Sequence, residues 1–401
     1  MKRTRRIVQG GFLALTLLGV FVFGANCERW CPFGGVEAIY EYATRGTMLC
    51  SLGVSNFYIL GGVVLMTFLL RRAFCGYVCP IGTISEWLGA AAARLGVKPL
   101  RAGPKVDRGL ALLKYAVLGV ILVLTWRAGE LIFRGFDPCY ALISRHGTDI
   151  TVWAYVVLGV IVVASLLVMM PFCRWFCPLA AVLNPISRFG LTCVRRDADT
   201  CIDCGKCSRA CPTAIPVDRL EEVKAARCLA CLNCLEACPV GKPSPLTWGP
   251  AKPVGGRWPQ AALVALLLLC VAGVVGASCL CPFPSFVKIH GEPPDRVASV
   301  RLKLDNLACR GRANLLFFFL ERDDMYEIPG YFRLEAWPGP GKADIRVIYD
   351  PAETGEMPIK QAITEPYFDP GYGWRESPFS IEGYDVLGAD MSGDASLPPD
   401  L

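Results

Sequence analysis

The chain has 401 residues, 53% of them apolar and only 19% charged, below the roughly 25% charged share of soluble globular domains, so much of it is kept from water. Twenty-one cysteines stand beside only two histidines, His146 and His290. Neither histidine lies in a long apolar run, which excludes a bis-histidine haem inside a membrane, and no C-x-x-C-H segment exists for c-type haem attachment. The net charge of +6 is unevenly placed and reads as topology information; no nucleic-acid partner is expected.

In chain order, a basic start (Lys2, Arg3, Arg5, Arg6) leads into the first of five apolar runs, 7–25, 54–70, 110–126, 151–170 and 260–278. Each is long enough to span a hydrocarbon core, which takes roughly 17–25 helical residues. The first run has a second reading, a cleaved signal peptide ending near Val22, Phe23 and Gly24. Lys114 lies one turn inside the third run and can snorkel to the interface. Summed over alternate segments, basic residues number 23 on one side and 5 in the short loops opposite. The positive-inside rule then predicts a cytoplasmic N-terminus, 71–109 loop and 171–259 segment, with the C-terminal part outside.

Six cysteines map to the outer face: Cys27 and Cys31 (a C-x3-C-P pair), Cys50, Cys139, Cys279 and Cys281. Disulfides are one reading in an oxidising compartment. A site for copper or another soft metal, or an additional redox site, is the other, because Cys279-x-Cys281 suits Cu(I).

The second and fourth runs each end in the same motif, Phe74-Cys75-x3-Cys79-Pro80 and Phe172-Cys173-x3-Cys177-Pro178. Proline favours the first turn of a helix, so each motif is expected to lead into a short interfacial helix, 81–95 and 179–189. The spacing of four is expected to put both thiols on one helix face. These pairs read either as redox or metal-binding dithiols or as packed apolar corners in which cysteine serves as a small hydrophobe.

The strongest signal is Cys201-x2-Cys204-x2-Cys207-x3-Cys211-Pro212, repeated as Cys228-x2-Cys231-x2-Cys234-x3-Cys238-Pro239. This is the bacterial run that holds [4Fe–4S] clusters, in which the fourth cysteine ligates the other cluster. It predicts two clusters, one on Cys201, Cys204, Cys207 and Cys238, the other on Cys228, Cys231, Cys234 and Cys211. Two identical runs, each closed by proline, are unlike a zinc ribbon. Cys193, Cys270 and Cys309 complete the inventory.

After a Gly- and Pro-rich linker, 241–256, and the last apolar run, the pattern turns soluble. Strands are expected at 297–304, 331–337, 343–349 and 377–384 and helices at 313–321 and 357–364, the β-α-β-β-α-β order of the ferredoxin-like split fold. The polar tail 390–401 is expected to be disordered. The fold class is thus a multi-pass α-helical membrane protein with an inserted two-cluster ferredoxin segment and a C-terminal α+β domain. The expected divisions are 1–190, 191–245, 246–284, 285–389 and 390–401.

The pairing of Cys75/Cys79 and Cys173/Cys177 with the following ferredoxin run resembles the membrane polyferredoxins typified by NapH, NosR and CcoG, over roughly residues 20–280. The resemblance implies membrane-bound electron transfer at the bacterial inner membrane. A cytoplasmic donor or quinol would feed a periplasmic redox or metalloprotein partner, with clusters on the cytoplasmic side. The CcoG side of the likeness implies an alternative, a maturation factor delivering a metal such as copper at the outer face through Cys27, Cys31, Cys279, Cys281 and Cys309. The flavin-binding N-terminal region of NosR-type members has no counterpart, so no covalent flavin is expected. The C-terminal region resembles a heavy-metal-associated domain, whose metal loop here holds Cys309 alone, with arginine where a second cysteine would stand. It is either a weak metal site or a docking module that has lost its metal. Electron transfer leaves a gap, because about 30 Å of hydrocarbon lies beyond the clusters. Quinone, the Cys-x3-Cys pairs or a partner must bridge it.

Overall fold

The computed structural model describes residues 2–23, 31–36, 39, 55–97, 99–128, 135–143, 151–241, 244–251, 254–281, 283–284, 286–290, 293–308, 310–321, 328–339, 341–369 and 373–384. Cys27, Cys50, Cys309 and the tail 390–401 lie outside them. The chain divides into two compact units, one of residues 1–37 and 55–280, the other of residues 38–54 and 281–401.

In the first unit, helices α1 (Lys2–Phe21), α2 (Ser55–Leu70), α3 (Ala73–Tyr77), α4 (Pro80–Arg94), α5 (Pro104–Leu110), α6 (Leu113–Ala128), α7 (Pro138–Ile143), α8 (Val152–Leu167) and α9 (Pro178–Arg188) precede the ferredoxin segment. Among its described residues, two stretches, Lys105–Thr125 and Gln260–Leu280, are long and apolar enough to cross a membrane, while Asn56–Leu70 and Val152–Leu167 are apolar but shorter. The first helix starts at Lys2, ahead of the apolar run that predicted it. The reason is Arg5, which is 3% exposed, pairs with Glu86 and donates to the Gly76 carbonyl at 3.2 Å.

Helix α2 packs on the last helix of this unit, α10 (Gln260–Leu280). The contact requires glycine at Gly62, where a Cβ would stand 2.0 Å from a methyl of Val274. Helices α4 and α8 cross through a buried Ser85–Ser165 hydroxyl pair at 2.8 Å. Part of the linker after the ferredoxin segment is a strand. Strand β2 (Leu246–Pro250) pairs antiparallel with β1 (Thr192–Arg196), bringing Thr192 opposite Pro250 and Arg196 opposite Leu246. Trp248, only 1% exposed, packs edge-on against Trp258 and supplies the apolar weight that holds this ribbon down.

The second unit is built on a four-stranded antiparallel sheet, with β3 (Phe286–Ile289), β4 (Ala298–Leu304), β5 (Tyr331–Trp337) and β6 (Ala343–Tyr349) in the order β3-β5-β6-β4. Helices α11 (Arg310–Leu320) and α12 (Glu356–Thr364) accompany it. The buried–exposed alternation of β4 and β6 is the expected period of two. Two findings differ from the sequence pattern. The strand expected at 377–384 is reduced to one bridge, Leu304 to Ile381, because its Pro, Ser and Gly residues leave little to continue a ladder. An added strand, β3, edges the sheet instead, and a separate hairpin forms from β7 (Tyr367–Asp369) and β8 (Gly373–Arg375). Ile345 is fully buried and Arg301 exposed. Ile345→Val is therefore expected to cost about 0.5–1.5 kcal/mol, and Arg301→Gln less than about 0.5 kcal/mol. Denaturation of the full chain followed by near-ultraviolet circular dichroism measures both, and equal effects would contradict this assignment of faces.

Candidate functional site

The two cysteine runs fold as a repeat in backbone as well as in sequence. The residues two and four positions beyond Cys201, Asp203 and Gly205, and those at the same offsets beyond Cys228, Ala230 and Leu232, all adopt left-handed conformations, with φ of 47°, 65°, 48° and 57°. For a residue other than glycine this costs roughly 1–2 kcal/mol. Successive reversals of this kind curl a loop so that amides and side chains face inward.

Two cavities result. One is lined by Cys201, Cys204, Cys207 and Cys238. The other is lined by Cys211, Cys228, Cys231 and Cys234. The fourth cysteine of each run thus lines the cavity of the other run's first three. Four thiols around an apolar hollow are the donor set of an iron–sulfur cube. Among the described residues no group of three His, Cys, Asp or Glu side chains is close enough to hold a single metal ion. Burial pushes the Cys231 thiol up to about 12, against the pull of Arg5. Thiols so placed ionise when a cation, such as cluster iron, replaces the lost solvent.

The Cys-x3-Cys-Pro motifs form two matching corners. In each, the amide of the second cysteine donates to the carbonyl five residues back, Cys79 to Phe74 at 3.0 Å and Cys177 to Phe172 at 2.9 Å. The second cysteine is extended (ψ 122° and 118°), and its proline opens the next helix, α4 or α9. The proline rule thus places both helices. The one-face expectation is corrected, because the chain leaves helical geometry between the paired cysteines. Gly82 belongs to this packing, since a Cβ there would lie 2.4 Å from the Cys75 carbonyl oxygen. The corners face each other, and the thiols of Cys75, Cys79, Cys173 and Cys177 lie within one another's electrostatic reach. Burial pushes Cys79 up to about 12 and Cys177 up to about 11, and peptide N–H groups at the start of α4 and α9 pull them back.

Buried charge at these corners went unread in the sequence, because basic residues beside apolar runs were counted as membrane-surface charges. Arg71 and Arg72 are each 1% exposed. The Arg72 guanidinium donates to Asn184 at 3.2 Å and reaches the Cys75 sulfur at 3.6 Å. Its amide donates to the Cys228 carbonyl at 3.2 Å, while the Tyr77 hydroxyl donates to the Ala230 carbonyl at 3.4 Å. The second ferredoxin loop therefore rests directly on the first corner. Asp107 ties the second corner to that loop through Arg174, Trp175 and Arg227. The only advance signal for these residues was charge beside a cysteine motif.

The remaining predicted thiols are dispersed. Cys31 and Cys139 are half-buried, Cys279 and Cys281 exposed, Cys193 buried in β1, and Cys270 lies on α10 against the core. Cys27, Cys50 and Cys309 lie outside the described residues, so the outer-face readings that include them rest on sequence alone.

Two hollows, each lined by four cysteines, are of the kind that holds iron–sulfur clusters in ferredoxins. A family described as a 4Fe-4S binding domain matches residues 52–98 and 150–194, and one described as a 4Fe-4S dicluster domain matches residues 193–239. YccM of Escherichia coli, which carries an electron-transport name, is 30% identical over 62% of this chain and 71% of its own. The ferredoxin-type protein NapH of Haemophilus influenzae is 24% identical over 52% and 74%. NirI of Paracoccus denitrificans is 28% identical over 59% of this chain but only 36% of its own length. No solved structure matches. The chain belongs to the NapH/NosR-type polyferredoxin family and is an iron–sulfur electron-transfer protein.

Proposed function

We propose that the chain is a multi-pass inner-membrane electron carrier, in which Cys201, Cys204, Cys207 and Cys238 hold one [4Fe–4S] cluster and Cys211, Cys228, Cys231 and Cys234 a second. The clusters supply one-electron transfer at the cytoplasmic face, between a cytoplasmic donor or the quinone pool and a periplasmic redox partner. The observation that carries this reading is the separation of the eight thiols into two four-cysteine cavities. The chain's own residues bury the second cavity against the first corner and hold Arg5, ion-paired with Glu86, in the field of Cys231.

Five spans and an outer C-terminal unit complete the proposed topology. Its support is the uneven placement of basic residues together with the two long and two shorter apolar helices. The second unit reads as a ferredoxin-like split fold, because β4 lies between β6 and the bridge at Ile381.

Anaerobic purification with iron and sulfide quantitation and EPR of the reduced protein tests the ligand sets. Cys204→Ser and Cys231→Ser are each expected to remove about four irons per chain and a different EPR signal. Iron content unchanged by both substitutions would overturn the proposal. Protease accessibility in oriented vesicles tests topology, with cleavage within 191–245 expected from the cytoplasmic side and not from the other.

A further inference from the structure

The two ferredoxin cavities repeat in backbone but differ in their walls. Besides its four cysteines, the second cavity has a single polar lining residue among the described residues, Thr213, and its other walls are apolar. Thr213 is 2% exposed, and its hydroxyl stands 3.4 Å from the Cys211 sulfur, its one hydrogen-bond partner among the described residues. The Ile215 amide donates to the same sulfur at 3.4 Å. Two positions beyond Cys238, where the other run has the counterpart of Thr213, stands Val240. It is exposed, lines the first cavity and has no hydrogen to donate. Two carboxylates line that first cavity as well, Asp203 and Asp218. Asp203 is ion-paired with Arg196 at 2.8 Å, and Asp218 accepts from the Ser208 hydroxyl. A hydroxyl enclosed among apolar side chains is costly without a partner, and here the partner is one ligand sulfur of one site.

We propose that Thr213 sets the reduction potential of the buried second site by donating its hydroxyl hydrogen to the Cys211 thiolate, and so directs electrons from the exposed first site to the second. The proposal rests on the two-cluster reading and adds the residue that orders the two sites. Thr213 is a positioning residue that acts through Cys211. A hydrogen bond to a ligand sulfur stabilises negative charge on it, and that charge is greater once the site is reduced. Apolar burial works the other way, because each added electron increases the charge of an enclosed site. The hydroxyl is placed where it offsets that cost. At the first site the Asp218 carboxylate repels an added electron, and Val240 supplies nothing to counter it. In the transfer step the first site loses one electron and the second gains one. No bond forms or breaks, and the hydroxyl keeps its hydrogen throughout.

Anaerobic redox titration of the full chain followed by EPR tests this, each signal being assigned by its loss in Cys204→Ser or Cys231→Ser. In the unsubstituted protein the Cys231-dependent signal is expected to be reduced first. Thr213→Val keeps the branched shape and removes the hydroxyl. It is expected to shift the partition of an electron about tenfold away from the second site, a fall of about 59 mV in that midpoint potential. Iron content and the Cys204-dependent signal should not move. Thr213→Ser restores the hydroxyl and should hold the unsubstituted value. An unmoved second potential in Thr213→Val, an equal fall in Thr213→Ser, or a common shift of both signals would overturn the proposal. So would reduction of the Cys231-dependent signal second in the unsubstituted protein, a measurement that stands even if Thr213→Val fails to fold. Failure of the two-cluster reading looks different: fewer than two reducible signals would then appear before any substitution at Thr213.

Discussion

Asp107→Ala is expected to destabilise the first unit by about 3–5 kcal/mol, the cost of removing one partner from a buried ion pair. The Asp107 carboxylate is 4% exposed. One oxygen accepts from Arg174 at 2.5 Å and from the Trp175 indole at 2.9 Å, and the other accepts from Arg227 at 2.5 Å. Arg174, 6% exposed, sits between Cys173 and Cys177 of the second corner, and Arg227 immediately precedes Cys228. The substitution thus strands one enclosed guanidinium and releases the ferredoxin loop from the corner at once. Arg227 is 30% exposed, so Arg227→Gln, which leaves the better-buried pair intact, should cost only about 1 kcal/mol. Asp107→Ala/Arg174→Met should recover part of the loss, since the stranded charge is gone. The readout is the denaturation midpoint followed by cluster absorbance. A loss below about 0.5 kcal/mol for Asp107→Ala would show that the carboxylate carries no such role.

Arg71→Met should be comparably damaging for a different reason. Arg71 is a stitch between segments, donating to the carbonyls of Thr192 at 2.6 Å and Ser187 at 2.8 Å, with Gly190 at 3.5 Å. Its removal takes the charged donor from the Thr192 carbonyl and leaves the Ser187 carbonyl with the Gly190 amide alone, at roughly 1–3 kcal/mol each, or about 2–6 kcal/mol for the two short bonds. The site admits little repacking, because Gly190 already brings the backbone so close that a Cβ there would be 2.8 Å from the Arg71 side chain. Arg71→Lys keeps the charge without the forked donor set and should recover less than half of the loss. Thermal melts of the reconstituted protein measure this, and a melting temperature equal to that of the unsubstituted chain would refute it.

Local chemistry was legible in the chain and long-range chemistry was not. Proline after Cys79 and Cys177 foretold both helices, because its fixed φ and missing amide act on adjacent residues alone. The same reasoning failed for the thiol pairs, since a spacing of four implies one face only if the helix continues, and here it breaks. Strand 377–384 failed for a related reason: alternation marks which side chains face a core but not whether a neighbouring strand is there to complete the ladder. The first helix began earlier than its apolar run because Glu86, far along the chain, neutralises Arg5.

By itself the sequence determined that eight cysteines stand at the intervals of bacterial cluster-binding runs, from which the interchange of the fourth between runs is an expectation, because loops this short let spacing dictate geometry. Only the tertiary structure decided that the two Cys-x3-Cys-Pro corners meet, that Arg72 is enclosed among their thiols, and that Asp107 fastens the ferredoxin loop beside them. Those outcomes depend on contacts between residues remote in sequence, where the sign and fate of a charge are set by what packs against it and not by its neighbours in the chain.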